Sequence, residues 1–402
     1  MLRNAILCAA AVLIALTAAL PALAQGQPTG QAISNLNVRS GPGETYPILA
    51  VLPRRSIVII EGRNSIGNWV RVHTAGESAR GWVATRYLIM QADLISLPVV
   101  EESASAANPA APSGPVDLSG VGAAPAGPFA VDVNTDALIA RLSATPVLPG
   151  GVSPRVHAIF ALGQQLGRRP NTFSKLGDCM TTFHAFLVPF GVGEYDLGPY
   201  ADLQAVIDFY SVSPRPEVGV ANSFVNDSMA SWGGFSAASV LDPQWANPMH
   251  CRAGESPLDC EYRLVQPGVA IIMFGAIDMQ YLRADQFGPA LRSVVRATIE
   301  RGVIPLLSTF PSSPDYLWQN SLELNAAIVQ IAEEEQIPLI NFWLAARPLP
   351  ANGLADDHYH LSFSGDRFIS FNGDQDRWGY TLRNLLTLQA LDLLRREVLT
   401  GG

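Results

Sequence analysis

The chain has 402 residues, 48% of them apolar, which is enough to bury more than one core. Its formal charge of −9 at pH 7 gives no electrostatic basis for holding nucleic acid. No run of like charge marks a solvating tail.

The first stretch, MLRNAILCAAAVLIALTAALPALAQ, carries Arg3 and then an uncharged Ala/Leu/Val/Ile run ending in Ala22-Leu23-Ala24. Small residues at those positions predict signal-peptide cleavage before Gln25, so residues 1–24 are set apart from the fold and the mature protein is expected to be secreted or extracytoplasmic. The run is short for a membrane span, and an uncleaved anchor is the alternative. Cys8 lies inside the apolar run, behind the large Leu7, and is no lipoprotein cysteine. No later segment is apolar enough to cross a bilayer.

Residues 31–90 read as short strands separated by turn signals. LNVRSGPGETYPILAVLP turns at Gly41-Pro42-Gly43, SIVIIEGR and NWVRVHT are β-branched, and GWVATRYLI closes the unit. That pattern predicts a small all-β barrel. LNVRSGPGETYPILAVLP, GNWVRV and GWVATRYL resemble the bacterial SH3 family. The resemblance implies a wall- or peptide-binding module, hence an envelope polymer or peptide as partner. Trp69 and Trp82 are expected in its core, and Tyr46 and Tyr87 are candidates for a ligand groove. Residues 91–134 then shift to Ala, Pro, Gly and Ser, which predicts a linker without a core of its own.

Residues 135–402 are long enough for one large domain. RVHAIFALGQQLGRR has helical apolar spacing. GVAIIMFG (268–275), VIPLLSTF (303–310) and IPLINFW (337–343) are unbroken apolar runs of the kind that form strands covered on both faces. Between them lie FGPALRSVVRATIERG, with Gly302 as its stop, and QNSLELNAAIVQIAEEEQ, whose Ala332–Gln336 end is expected to be a solvated helix end. Alternating strands and helices predict an α/β domain with a parallel sheet, and such sheets carry their sites at the carboxyl ends of the strands. Gly177-Asp178-Cys179, GAID and DDHYH all fall at or after strand ends.

Removal of the first 24 residues leaves Cys179, Cys251 and Cys260. Cys251 and Cys260 have eight residues between them, Gly and Pro included, and an oxidising compartment predicts a local disulfide. A zinc site falls short of four ligands, since only His250 lies nearby. Cys179 is the odd thiol. Asp357 and His360 are three apart, a spacing that lets a carboxylate accept from the imidazole Nδ1–H and leaves the other ring nitrogen to take a proton. His358 is expected to point away.

KLGDCMTT after a strand, FGAIDM after a later strand, and DDHYHLS near the end resemble, in that order, the SGNH (GDSL-type) hydrolase superfamily. The resemblance implies a three-layer α/β/α sandwich that cleaves acyl esters without a cofactor. Cys179 then stands at the serine nucleophile, preceded by Gly177 and Asp178. The oxyanion glycine is Gly233 or Gly234, with Gly234 favoured. The third block supplies Gly275, Ala276 and Asp278, with Ile277 where the family has asparagine, and Asp357 and His360 keep the last block. A thiolate is an able nucleophile beside a histidine. Losing the amide of one oxyanion donor costs about 3–4 kcal/mol of transition-state stabilisation. The expected activity is therefore hydrolysis of an acyl ester or thioester on an envelope polymer by Cys179, His360 and Asp357. The alternative is a sandwich that binds envelope material without cleaving it. Ser223, Ser228 and Ser231 are expected turn formers, and EYDLGPY (194–200) a packed surface stretch, with the lining of a groove near Cys179 as the alternative. Neither a phosphate loop nor a His/carboxylate metal cluster is evident, since GGVSP follows no strand.

Overall fold

The computed structural model of the chain describes residues 27–32, 36–42, 46–64, 69–76, 79–91, 97–100 and 126–400. The expected signal segment and residues 92–96 and 101–125 of the expected linker lie outside the described residues.

The N-terminal unit is a seven-stranded antiparallel sheet of β1 (Thr29–Ala32), β2 (Leu36–Arg39), β3 (Ile48–Leu52), β4 (Ile57–Arg63), β5 (Trp69–Thr74), β6 (Arg80–Ala84) and β7 (Leu88–Met90), in the order β3-β2-β6-β5-β4-β1-β7. Period-2 alternation decides which side chains face inward. In β4, Val58 and Ile60 are buried while Ile57 is exposed, and Val70 and Val72 of β5 and Leu36 and Val38 of β2 join them in one core. Trp69 and Trp82 are buried together beside Ala84, as core aromatics should be, whereas Tyr87 is exposed.

Both described ends of the Ala/Pro-rich stretch are seated. Leu97 is buried in the barrel core, and Phe129 is buried in the core of the large domain. That domain runs α1 (Thr135–Ala144), α2 (Pro154–Gln165), β8 (Arg169–Gly177), α3 (Cys179–Thr182), α4 (Val188–Val192), β9 (Tyr195–Asp196), α5 (Gln204–Phe209), α6 (Pro257–Val265), β10 (Pro267–Met273), α7 (Ala284–Glu300), β11 (Ile304–Ser308), α8 (Trp318–Glu335), β12 (Leu339–Ile340), α9 (Phe342–Ala346), β13 (Ile369–Ser370) and α10 (Gly379–Leu394). Asn134 caps α1 by accepting from the amides of Asp136 and Ala137, and Ser153 caps α2 ahead of Pro154. Four parallel strands in the order β12-β11-β10-β8 form the central sheet. Every residue of β10 and β11 is buried, which is why their sequences do not alternate. Met273 pairs with Gly177 in register, so β8 and β10 end side by side and release their loops at one rim.

Two expectations need correction. The run IPLINFW is strand only over Leu339–Ile340. Asn341 ends it, because its amide donates to the Leu142 and Thr145 carbonyls and its oxygen caps α9. The end of α8 is only partly solvated: Glu333 and Gln336 are exposed, but Glu334 and Glu335 are drawn into ion pairs. Glu335 is 1% exposed and meets Arg155 at 3.0 Å and Arg296 at 2.7 Å, while Glu334 accepts from Arg292 and from the Gly127 amide. Burial of these acids is tolerated because arginines from α2 and α7 pair with them.

Cys251 and Cys260 form the expected disulfide, tying the preceding loop to α6, and Cys179 is free. Among the described residues, no helix is long and apolar enough to cross a membrane.

Candidate active site

Block one begins where β8 stops. The Gly177 amide donates to Ala230 O at 3.3 Å and its carbonyl accepts from Trp232 N–H at 3.1 Å, which lays the 230–232 segment beside the strand end. A Cβ at Gly177 would fall 2.2 Å from Thr181 Oγ1 and 2.5 Å from Met273 O, so only glycine fits. Asp178 then caps α3, its Oδ1 accepting from Met180 N–H at 3.0 Å. Cys179 is the first residue of that helix and is half-buried.

The thiol is not activated at rest. Burial, then the neighbouring Asp178 charge, push its pKa up to about 11, and the Tyr359 hydroxyl and the Met180 and Cys179 amides pull back only part of that. Asp178 is fully buried and raised to about 6 by desolvation, moderated by the Met180 amide, Arg383, the Ile277 amide and His360. Among the described residues, its Oδ2 makes no hydrogen bond of ordinary length.

Blocks two and three are clamped together by Asp278, whose oxygens accept from Ala237 N–H at 2.9 Å and Gly275 N–H at 3.1 Å. Burial raises its pKa to about 7, with the Asp178 charge adding to it and those amides opposing. Gly275 has φ +128° and sits under Phe310, whose ring a Cβ would meet at 2.2 Å. Ile277 is half-buried in the next turn. Of the two glycines in block two, a Cβ at Gly233 would lie 3.8 Å from Cys179 Cβ, whereas one at Gly234 would meet nothing within 4 Å. The backbone beside the sulfur-bearing carbon is therefore that of Gly233, one residue before the glycine favoured from sequence. Gly234, at φ +99°, turns the chain immediately afterwards.

The last block is a tight loop closed by the bridge between Leu354 and Leu361. Asp357 Oδ1 accepts from the amides of Tyr359 (3.0 Å) and His360 (2.9 Å), and its Oδ2 lies 2.7 Å from His360 Nδ1. Burial would raise the Asp357 pKa, but the His360 ring and these two amides outweigh it and hold the carboxyl below its ordinary range. The bond at Nδ1 leaves His360 Nε2 as the ring nitrogen not engaged by Asp357. His358, at φ +60°, turns to Ser313 instead.

The loop meets Cys179 through a residue for which sequence spacing offers no cue. The Tyr359 hydroxyl lies 3.5 Å from Cys179 Sγ, and its ring contacts that of His360 edge-on at 4.5 Å. Among the described residues, no hydrogen bond joins the Cys179 sulfur to the His360 ring; Tyr359 is the sulfur's side-chain partner. Arg383 of α10 was also missed. It is buried, donates to Met180 O at 2.8 Å and Thr181 Oγ1 at 3.1 Å, and stacks 3.6 Å above the Phe186 ring. Burial lowers its pKa to about 10, with Tyr380, Asp178 and Cys179 opposing. The one signal for it was a lone Arg-Asn pair within an apolar helix. Ser223 turns out to be a buried acceptor for the Phe173 amide, and Tyr195 packs on Phe190 and bonds Gln204, away from the site. Among the described residues no cluster of His, Cys, Asp or Glu could hold a metal.

A nucleophile candidate on a strand-to-helix turn, glycine backbone beside it, and an Asp-supported imidazole on an adjoining loop together suit acyl transfer. Residues 34–89 match the bacterial SH3 domain family, and residues 216–368 match the GDSL-like lipase/acylhydrolase family. The chain joins a bacterial SH3 domain to a GDSL-like acylhydrolase domain. The acylhydrolase match takes in Gly233, Gly234, Ile277, Asp357 and His360, and begins beyond Cys179. It places the domain among the hydrolases of ester bonds. No curated protein matches the chain. Solved structures similar to it include a psychrotrophic esterase from Pseudoalteromonas sp. inhibited by monoethylphosphonate (16% identity, TM-score 0.36, covering 56% of this chain and 99% of that one). An acetylxylan esterase from Geobacillus stearothermophilus (17%, 0.35, 55% and 93%) and a lipase/acylhydrolase from Enterococcus faecalis (16%, 0.33, 54% and 93%) are similar at the same level.

Proposed function

We propose that this acylhydrolase works outside the cytoplasm on an acyl ester or thioester of a cell-envelope polymer, with Cys179 as nucleophile, His360 as general base and Asp357 as its orienter. The thiol gives its proton to His360 as the sulfur attacks the acyl carbonyl. Collapse of the adduct breaks the bond to the leaving oxygen or sulfur, which takes that proton from the imidazolium. Water, deprotonated by the same ring, then cleaves the thioester and releases the carboxylic acid. The amides of Cys179 and of block two, Gly233 or Gly234, would face the oxyanion.

The observation that carries this reading is the 2.7 Å Asp357–His360 pair on a loop whose Tyr359 touches the Cys179 sulfur. Base and nucleophile thus share one rim, and catalytic hydrogen bonds commonly close only when substrate binds. Three features support the substrate class. Trp232 is 66% exposed next to Gly233 and offers a flat apolar face beside the nucleophile. Tyr281, just after Asp278, packs against both the large core and the barrel core, so the barrel adjoins the turn that bears Ile277. The Cys251–Cys260 disulfide suits an oxidising compartment, as does the leader-like N-terminus.

The test is hydrolysis of p-nitrophenyl acetate and an acetyl thioester by purified protein, with His360→Ala and Asp357→Asn. Turnover that falls at least about a hundredfold in each variant supports the dyad. Undiminished turnover in both refutes it, and no turnover of any acyl substrate favours the binding-only alternative.

A further inference from the structure

Ile277 leaves the site short of one side-chain donor, and the only side-chain hydrogen bond that the sulfur makes among the described residues is to Tyr359. We propose that the Tyr359 hydroxyl donates the hydrogen bond to the developing oxyanion that an asparagine at position 277 would otherwise supply, a step that rests on Cys179 being the nucleophile.

The geometry carries this. In the tetrahedral adduct the oxyanion is bonded to the carbon that carries the sulfur, so it lies within about 3 Å of that sulfur. A donor already 3.5 Å from Sγ is therefore within reach of it by a small rotation. The sulfur that the hydroxyl touches sits on the first residue after Asp178, at the end of β8, where β10 also ends and leads into the turn that bears Ile277. The loop that carries the hydroxyl is braced, which leaves only that small side-chain rotation. The Tyr359 amide is tied to Asp357, the ring leans edge-on against His360, and the loop is closed by the Ala355 N–H to His360 O bond at 2.8 Å. The carboxylate that orients the base thus also sets the donor.

Chemistry agrees. Burial and the neighbouring carboxylate hold the phenol well above its ordinary pKa, so it remains an O–H donor across the working range. At rest it hydrogen-bonds the sulfur. In the adduct it exchanges that bond for one to the oxyanion. No proton leaves the tyrosine, so the scheme above keeps its balance.

The experiment uses the full chain with Tyr359→Phe, which keeps the ring and its packing. kcat for p-nitrophenyl acetate should fall about a hundredfold, the loss expected for one oxyanion donor, with KM within about threefold. Alkylation of Cys179 by iodoacetamide forms no oxyanion and should slow by no more than about fivefold, which also reports that the site is folded. Adding Ile277→Asn to Tyr359→Phe should recover at least about tenfold in kcat. Turnover within twofold of the parent overturns the proposal, as does a loss of alkylation equal to the loss of turnover, which marks a structural role. Undiminished turnover in Cys179→Ala overturns the nucleophile assignment and this proposal with it, whereas turnover lost in Cys179→Ala but kept in Tyr359→Phe overturns this proposal alone.

Discussion

The resting thiol of Cys179 should be a poor nucleophile until a substrate arrives, and this can be read from its alkylation rate against pH. With a pKa of about 11 the sulfur is about one part in a thousand thiolate at pH 8, against about one in ten for a thiol at the ordinary 9.0. The hundredfold deficit is partly offset, because the more basic thiolate is about tenfold more nucleophilic. Iodoacetamide should therefore react about tenfold more slowly than with an exposed cysteine at pH 8. The slope discriminates better than the rate: between pH 7 and 9.5 it should rise about tenfold per unit with no plateau. Asp178→Asn keeps the cap on Met180 while removing the second cause of the shift, so its curve should move to lower pH. A plateau near pH 7 in the parent would mean a preformed thiolate–imidazolium pair and would refute the argument that burial and Asp178 control this sulfur.

Arg383→Met should lower unfolding free energy by about 3 kcal/mol in a urea titration of the full chain, because the Met180 carbonyl loses its buried cationic donor and Asp178 a nearby positive charge; a change below about 1 kcal/mol would contradict the role given to this arginine. Replacing both Cys251 and Cys260 by Ala should cost about 2–3 kcal/mol by the chain-entropy model for a loop of this length, with esterase turnover at 25 °C little altered; a site that fails with the disulfide would show that α6 and the rim are coupled.

Much of this architecture was legible because it rests on short-range pattern. Unbroken apolar runs gave β10 and β11, helical spacing with Gly302 beyond it gave α7, and β-branched alternation gave the barrel. The Asp357–His360 pair was legible for the same reason, since three residues of spacing determine it. What escaped is long-range. Tyr359 and Cys179 are 180 positions apart, and Arg383 meets Met180 across 203, so neither contact leaves a local trace. The end of α8 misled because three successive glutamates look solvated until Arg155, Arg292 and Arg296 are placed against the last two. Gly233 and Gly234 are adjacent and chemically identical, and only the course of the chain beside β8 brings the Gly233 backbone next to the Cys179 Cβ.

The central claim is that Cys179 is the attacking group, and the most direct measurement compares Cys179→Ala and Cys179→Ser with the parent on p-nitrophenyl acetate at pH 8. The account predicts that the alanine variant falls to the uncatalysed background while the serine variant, served by the same base and donors, retains measurable turnover that His360→Ala then removes. Hydrolysis by Cys179→Ala at the parent rate would contradict it.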